Sequence, residues 1–286
     1  MSVEIKKGDK KIGEWDIPMA LEKLYKEAIY LHSKKVYRSI EFNTKIDKSM
    51  FKMLAKVREA DNPKEVNTRT QPIVQKDYAL HPMNERDEPL GEESVLDRIK
   101  TALWFLSINK AISEQYEYPR ENKKVGHTVR VPTQRFGLRT TGIRIDFSSV
   151  SDQFRKIPEI AEDKTGVFHA LEHLLIQSAN MLAGGISGNL DGISKPELDV
   201  ILIFDRSTNG GNGASKNLFL VMDEVFKRAY EIVNECDCKD GCPRCIHYNL
   251  CSLRNSNLNK SGAKSLLEKI LGERRYKEPP ETKDLV

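Results

Sequence analysis

CDCKDGCPRC, residues 236–245, spaces four cysteines as C-x-C-x3-C-x2-C, and a fifth, Cys251, follows shortly after. Zinc takes four ligands at tetrahedral corners, with thiolate sulfurs about 2.3 Å from the metal. Two thiolates separated by two residues can grip one ion from a tight turn. Gly241 and Pro243 flank Cys242 and favour such a turn. Five cysteines for four places leave a choice: the expected ligands are Cys236, Cys238, Cys242 and Cys245, with Cys251 in reserve for Cys236. An iron–sulfur cluster and a redox pair at Cys242 and Cys245 are the rival readings. A closed four-thiolate shell has no open position for substrate, so a zinc ion here is expected to hold structure.

Outward from this knot the pattern is α/β. Ser215–Glu235 is amphipathic and predicts a helix ahead of it; a last helix is expected over about Ser261–Leu271. Asp199–Phe204 is a continuous apolar run ending in Asp205, the signature of a buried strand. Thr165–Ala183 predicts the clearest helix, with Phe168, Leu171, Leu174, Leu175 and Leu182 on one face and Gly184 and Gly185 at its end. Residues 151–272 are therefore expected to form an α/β zinc-binding domain, and 273–286, charged and proline-bearing, a frayed tail.

The first 80 residues predict a small β-rich, barrel-like element. Ala28–His32, Val36–Asn43, Phe51–Arg58 and Val66–Tyr78 are short apolar or alternating runs, and Leu21–Ala28 suits a short helix. His81–Glu92 suits a linker. Glu93–Gln115 is expected to be a helix, because Val95, Ile99, Leu103, Leu106 and Ile108 follow roughly helical spacing. Val125–Phe136 and Thr141–Phe147 return to strand character. The expected fold class is α/β or α+β.

The formal charge of +4 says little, but its distribution says more. Arg120, Lys123, Lys124, Arg130, Arg135, Arg139 and Arg144 face the single acid Glu121 within one segment. Such a stripe can neutralise phosphates, and Arg130, Arg135, Arg139 and Arg144 are the candidate nucleic-acid contacts; a solvated β-surface is the alternative. The polar start, Met1–Lys11, is unlike a secretory signal, and the longest apolar run is strand-sized. These features predict a cytoplasmic protein with no membrane partner, in a reducing compartment where clustered cysteines serve metals.

His169-Ala-Leu-Glu172-His173 fits H-x-x-E-H, in which two histidines one helical turn apart could hold a catalytic zinc with Glu172 as base. That hydrolase needs a third ligand, for which Asp191, Glu197 and Asp205 are ordinary candidates; packing and hydrogen bonding are the alternative role. Asp205–Gly213 joins strand to helix with Gly210, Gly211 and Gly213, and Gly184–Gly188 is similar. Neither completes a dinucleotide or P-loop pattern, and both suit tight turns. No G-x-x-x-x-G-K-[ST] loop occurs, so the chain is not a self-sufficient ATP motor.

Several stretches taken together resemble a known family. Phe168–Leu175 (FHALEHLL), Asp191-Gly192, Ile203–Gly213 (IFDRSTNGGNG), Cys236–Cys245 with Cys251, and Asn257–Lys260 occur in the order found in the C-terminal zinc-binding domain of mitomycin repair factor-type DEAD/DEAH-box helicases. Related domains occur in Hrq-type helicases and the DISARM anti-phage system. A weaker likeness covers Ile12–Tyr78 and Val125–Val131. Asn209-Gly210-Gly211 departs from the family's proline-glycine-glycine turn. The resemblance implies that His169, Glu172 and His173 belong to the domain's framework and that four thiols bind zinc. It further implies work beside a superfamily 2 helicase core that handles DNA. The expectation is a non-catalytic accessory domain or subunit with an ATPase partner; a zinc hydrolase and a protein-interaction scaffold are the alternatives.

Overall fold

A computed structural model describes residues 2–47, 52–81, 88–96, 98–120, 126–182, 188–207 and 213–272. The expected tail, 273–286, lies outside the described residues, as do Gly184–Ser187 and Thr208–Asn212 of the two glycine-rich turns.

The chain opens with β1 (Ser2–Lys7), β2 (Lys10–Asp16), α1 (Ile17–Lys23), β3 (Ile29–His32), β4 (Lys35–Asp47) and β5 (Lys52–Glu59). These strands form a five-stranded sheet in the order β2-β1-β5-β4-β3, with β1 and β5 parallel. Alternation sets its inner face: Val3 and Ile5 of β1 pack with Ala55 and Val57 of β5 and with Ile17, Leu21 and Leu24 from α1 and its end. The short helix thus begins earlier than the sequence suggests, because Pro18 in its first turn costs no hydrogen bond.

A second sheet carries the rest. After α2 (Pro63–Asn67) come β6 (Thr68–His81), β7 (Gly91–Val95), β8 (Ile99–Pro119) and β9 (His127–Asp146); β10 (Leu190–Lys195) and β11 (Val200–Asp205) complete the order β10-β11-β9-β8-β6, with β7 also on β8. The helices are α3 (Ser151–Phe154), α4 (Pro158–Leu182), α5 (Ala214–Phe219), α6 (Met222–Asn234) and α7 (Lys260–Leu271). Because β9 pairs with β11, residues on both sides of position 150 share one sheet.

The helix expected over Glu93–Gln115 is instead β7, a turn and most of β8. The apolar residues Val95, Ile99, Leu103 and Leu106 fit either period. Two features select the strand. Leu96 takes a left-handed φ of 52° and stops β7. Thereafter β8 is paired on both sides, to β6 and β9, and near its start Thr101, Ala102 and Leu103 are buried in succession, so period-two alternation is obscured there. Likewise Val125–Phe136 and Thr141–Phe147 are parts of one long strand, β9. The single helix expected over Ser215–Glu235 is α5 and α6, broken around exposed Leu220.

The main core lies between the second sheet and the helices. Phe147, wholly buried, meets Phe168 of α4 edge-on at 5.5 Å between ring centres and also approaches Phe154 and Phe226. Asp163 interrupts α4 with non-helical angles, and its Oδ1 accepts the Gly166 N–H at 2.9 Å, so the buried stretch of the helix restarts near the predicted position. Asn259 caps α7 by accepting the Gly262 N–H, and Gly262 lets α7 approach α4: a Cβ there would lie 2.3 Å from Val167. Phe136 packs against both the N-terminal core and a small cluster of Tyr25, Val74, Ile112 and Val131, which joins the two sheets.

Candidate metal centre

α6 delivers the chain to Cys236, and the following turn brings four sulfurs together. Cys236 Sγ lies 3.5 Å from Cys238 Sγ and 3.6 Å from Cys242 Sγ; Cys245 Sγ lies 3.4 Å from Cys238 Sγ and 3.8 Å from Cys242 Sγ. A tetrahedral ion bound at about 2.3 Å requires edges of about 3.8 Å, and the donor set fits. The turn is held by N–H groups of Cys245 and His247 donating to the Cys242 carbonyl, both at 3.0 Å. Gly241 has a φ of 103°, and a Cβ there would lie 2.5 Å from Ile246, so glycine is required twice over. The backbone N–H of Cys238, with its thiol, draws Cys236 down to about 7, whereas burial pushes Cys245 up to about 12. Four thiolates cannot ionise together at this spacing without a cation among them. Lys260 stands beside them: its ammonium donates to the carbonyls of Cys236 and Cys238 and approaches the Cys238 sulfur at 3.4 Å.

Cys251, the reserve ligand, is placed elsewhere. It is buried, its sulfur accepts the Asn255 N–H at 3.3 Å, and it lies 3.4 Å from Nε2 of His169. His169 and His173 do share one face of α4, with ring centres 4.5 Å apart. Burial lowers His169 and holds His173 down near 3. Glu172 turns away from them toward β10. A Cβ on Gly192 would lie 2.6 Å from its Oε1, and it bonds Ser194; burial raises its carboxyl to about 7. Asp191 is engaged by Lys76 at 2.6 Å and Lys110 at 3.0 Å. Asp205 accepts N–H bonds from Gly213 and Ser215, supplying its own carboxylate to the start of α5. Glu197 lies in the turn between β10 and β11. None of these three acids joins the histidines in a ligand cluster among the described residues.

Sequence reasoning missed a buried charge lattice. Glu22 accepts from Lys110 at 2.8 Å and from Arg206 at 2.7 Å, and Asp191 accepts from Lys76 and Lys110. Burial alone would raise the Asp191 carboxyl, but Lys76, Lys110 and Arg206 hold it far below the usual range. One signal was readable: Lys110 falls between Ile108 and Ile112 at a core-facing position of β8.

Of the basic stripe, Arg130, Arg135 and Arg139 are exposed on β9, with Arg135, Gly137 and Arg139 at alternating positions on one face. Arg144 is half-buried and pairs with Asp146. Lys123 and Lys124 lie outside the described residues.

An uncharacterized protein of Methanocaldococcus jannaschii is 31% identical over 111 residues, which are 98% of its own length and 36% of this chain. The profile of the MrfA Zn-binding domain matches residues 171–246, from α4 through the last of the four thiols. The chain belongs to the MrfA Zn-binding domain family. The ATP-dependent helicase HRQ1 of Saccharomyces cerevisiae is 36% identical over 73 residues, 25% of this chain and 7% of that protein. The fold matches crystal structures of the DUF1998 helicase MrfA. For the one bound to DNA the TM-score is 0.56 at 18% identity, covering 94% of this chain and 34% of the helicase; for a second structure it is 0.51 at 18% identity, covering 95% and 34%. The chain therefore spans about a third of the solved helicase chains it resembles. The MrfA Zn-binding domain here includes the four-thiol cluster that can hold zinc. No helix among the described residues is long and apolar enough to cross a membrane.

Proposed function

We propose that this protein is a zinc-stabilised, non-catalytic accessory unit of a superfamily 2 DNA helicase, acting in repair or defence, that binds nucleic acid and docks on an ATPase partner. The observation that carries this reading is the convergence of Cys236, Cys238, Cys242 and Cys245 inside a domain whose relatives include helicases. Four thiols consume every coordination position of a zinc ion, which leaves it a structural role. The fold likeness to a helicase crystallised on DNA, together with exposed Arg130, Arg135 and Arg139, supports a phosphate-binding surface on β9. Guanidinium groups suit that role because they stay charged and match phosphate oxygens in pairs.

Reversing the three arginines to glutamate tests the surface. Binding of a labelled DNA oligonucleotide should weaken at least tenfold, and the slope of log affinity against log salt should shrink by about 3. Unchanged anisotropy titrations in the triple variant would leave β9 an ordinary solvated face. Copurification with a Walker-motif ATPase from the source cell checks the docking half of the reading; a chain that elutes alone under every condition would count against it.

A further inference from the structure

The four-thiol cluster leaves a second group of buried donors unused. One ligand nitrogen from each of His169 and His173 and the sulfur of Cys251 lie within 4.8 Å of one another, all buried. Each histidine has its other nitrogen fixed by the backbone: Nδ1 of His169 faces the Asn257 carbonyl at 3.1 Å, and Nδ1 of His173 faces the Ile246 carbonyl at 2.7 Å. A carbonyl only accepts, so both Nδ1 atoms carry hydrogen and both Nε2 atoms keep a lone pair. This is the arrangement by which proteins orient imidazoles toward a metal. The separation of His169 Nε2 and Cys251 Sγ, 3.4 Å, is close to the roughly 3.5 Å that a nitrogen and a sulfur span around one tetrahedral zinc.

The three donors line a cavity of about 230 Å³, shared with Lys76, Thr165, Glu172 and Asp191. That is several times the volume of a water molecule, about 30 Å³. The sequence suggested an acid as the third partner of the histidines; the structure supplies a thiol from 78 residues beyond His173 instead. Glu172 is tied to β10 and stays out of the set.

We propose that His169, His173 and Cys251 form a second transition-metal site, suited to Zn2+, whose fourth position opens into this cavity and takes a water or an anionic oxygen. Two neutral imidazoles and one thiolate leave a divalent ion with a charge of +1. Of the two acids in the same cavity, Asp191 is already matched by Lys76 and Lys110 and Glu172 is held by Ser194 of β10, so the ion's residual charge is left to attract an external anionic oxygen. The site shares no ligand with the four-thiol cluster. It does share a wall with it, because the carbonyl that orients His173 belongs to Ile246, next to Cys245.

Cobalt substitution of the full chain under anaerobic reducing conditions tests this. The stripped parent should take up two Co2+ per chain, and X-ray absorption should show mixed sulfur and nitrogen ligation. Cys251→Ala and His169→Gln should each retain one Co2+, with sulfur-only ligation and the visible spectrum of a four-thiolate site. A parent that binds one Co2+ through sulfur alone, lost in Cys242→Ala, overturns the second site and leaves the four-thiol reading intact. A parent that binds one Co2+ through mixed ligands, lost in Cys251→Ala and kept in Cys242→Ala, sustains the second site and removes the first. The spectrum of the parent decides the matter even where a variant does not fold.

Discussion

The four-thiol knot and the His169–His173–Cys251 cluster stand at the two ends of one short stretch, residues 245–251, yet they are built differently. The knot draws all its donors from ten consecutive residues and one glycine-dependent turn. The histidine cluster joins α4 to a loop 82 residues away and exists only where helix, sheet and loop are already packed. A metal bound to the first contributes folding free energy directly, because the unfolded segment offers no such cage. A metal bound to the second would occupy a site that tertiary structure has arranged in advance.

The sharpest way to break this contrast is to empty the knot. Chelation, or Cys242→Ser, should remove stabilisation on the order of 10 kcal/mol from the local segment. Amides of residues 236–258 should lose hydrogen-exchange protection, while those of β1 to β5 keep theirs. Uniform loss across the chain would show that the knot is not a local device.

Next in size is the lattice beside the histidines. Asp191→Asn leaves Lys76 and Lys110 buried without their shared acceptor and should cost about 3–5 kcal/mol in denaturant unfolding. Its pH dependence has a definite sign. Since the folded carboxyl lies below its unfolded value, Asp191 stabilises the protein above about pH 4, and this is lost as pH falls further. The acid limb of the stability curve should flatten in the variant.

Gly241→Ala should cost about 2 kcal/mol or more, since it combines a left-handed φ with contact against Ile246. Lowered zinc affinity should accompany the lower melting temperature; an unshifted melt would mean the turn can rearrange. The smallest effect is expected at Lys260. A zinc ion with four thiolates carries a net charge of −2, which the Lys260 ammonium partly offsets while binding two knot carbonyls. Lys260→Met should weaken zinc retention about tenfold in a competition with a chelating dye, at about 1.4 kcal/mol.

The knot was legible because its chemistry is written in adjacent residues. So were β11, α7 and the buried part of α4, whose apolar periods are unambiguous. β8 was not: where its first residues are buried on both faces the alternation is lost, and Val95, Ile99, Leu103 and Leu106 then imitate a helix. The pairing of Cys251 with His169 was hidden for another reason, since no local pattern announces which loop will arrive over a helix. Arg144 illustrates a third limit. Its charge was visible, but its commitment to Asp146 depends on side chains two positions apart on one strand turning toward each other.

The hairpin of β8 and β9 is the longest ribbon among the described residues. Its 21- and 20-residue strands meet the junction between the two sheets at Phe136, halfway along β9, and end beside the helices around Phe147. At about 3.3 Å per residue such a ribbon reaches at most about 70 Å. Gripped by packed cores at mid-length and at the helical end, its inner half behaves as a girder: a load applied where Arg135 and Arg139 project is carried along the unbroken ladder from Gln134 to Asp146 into the helical layer.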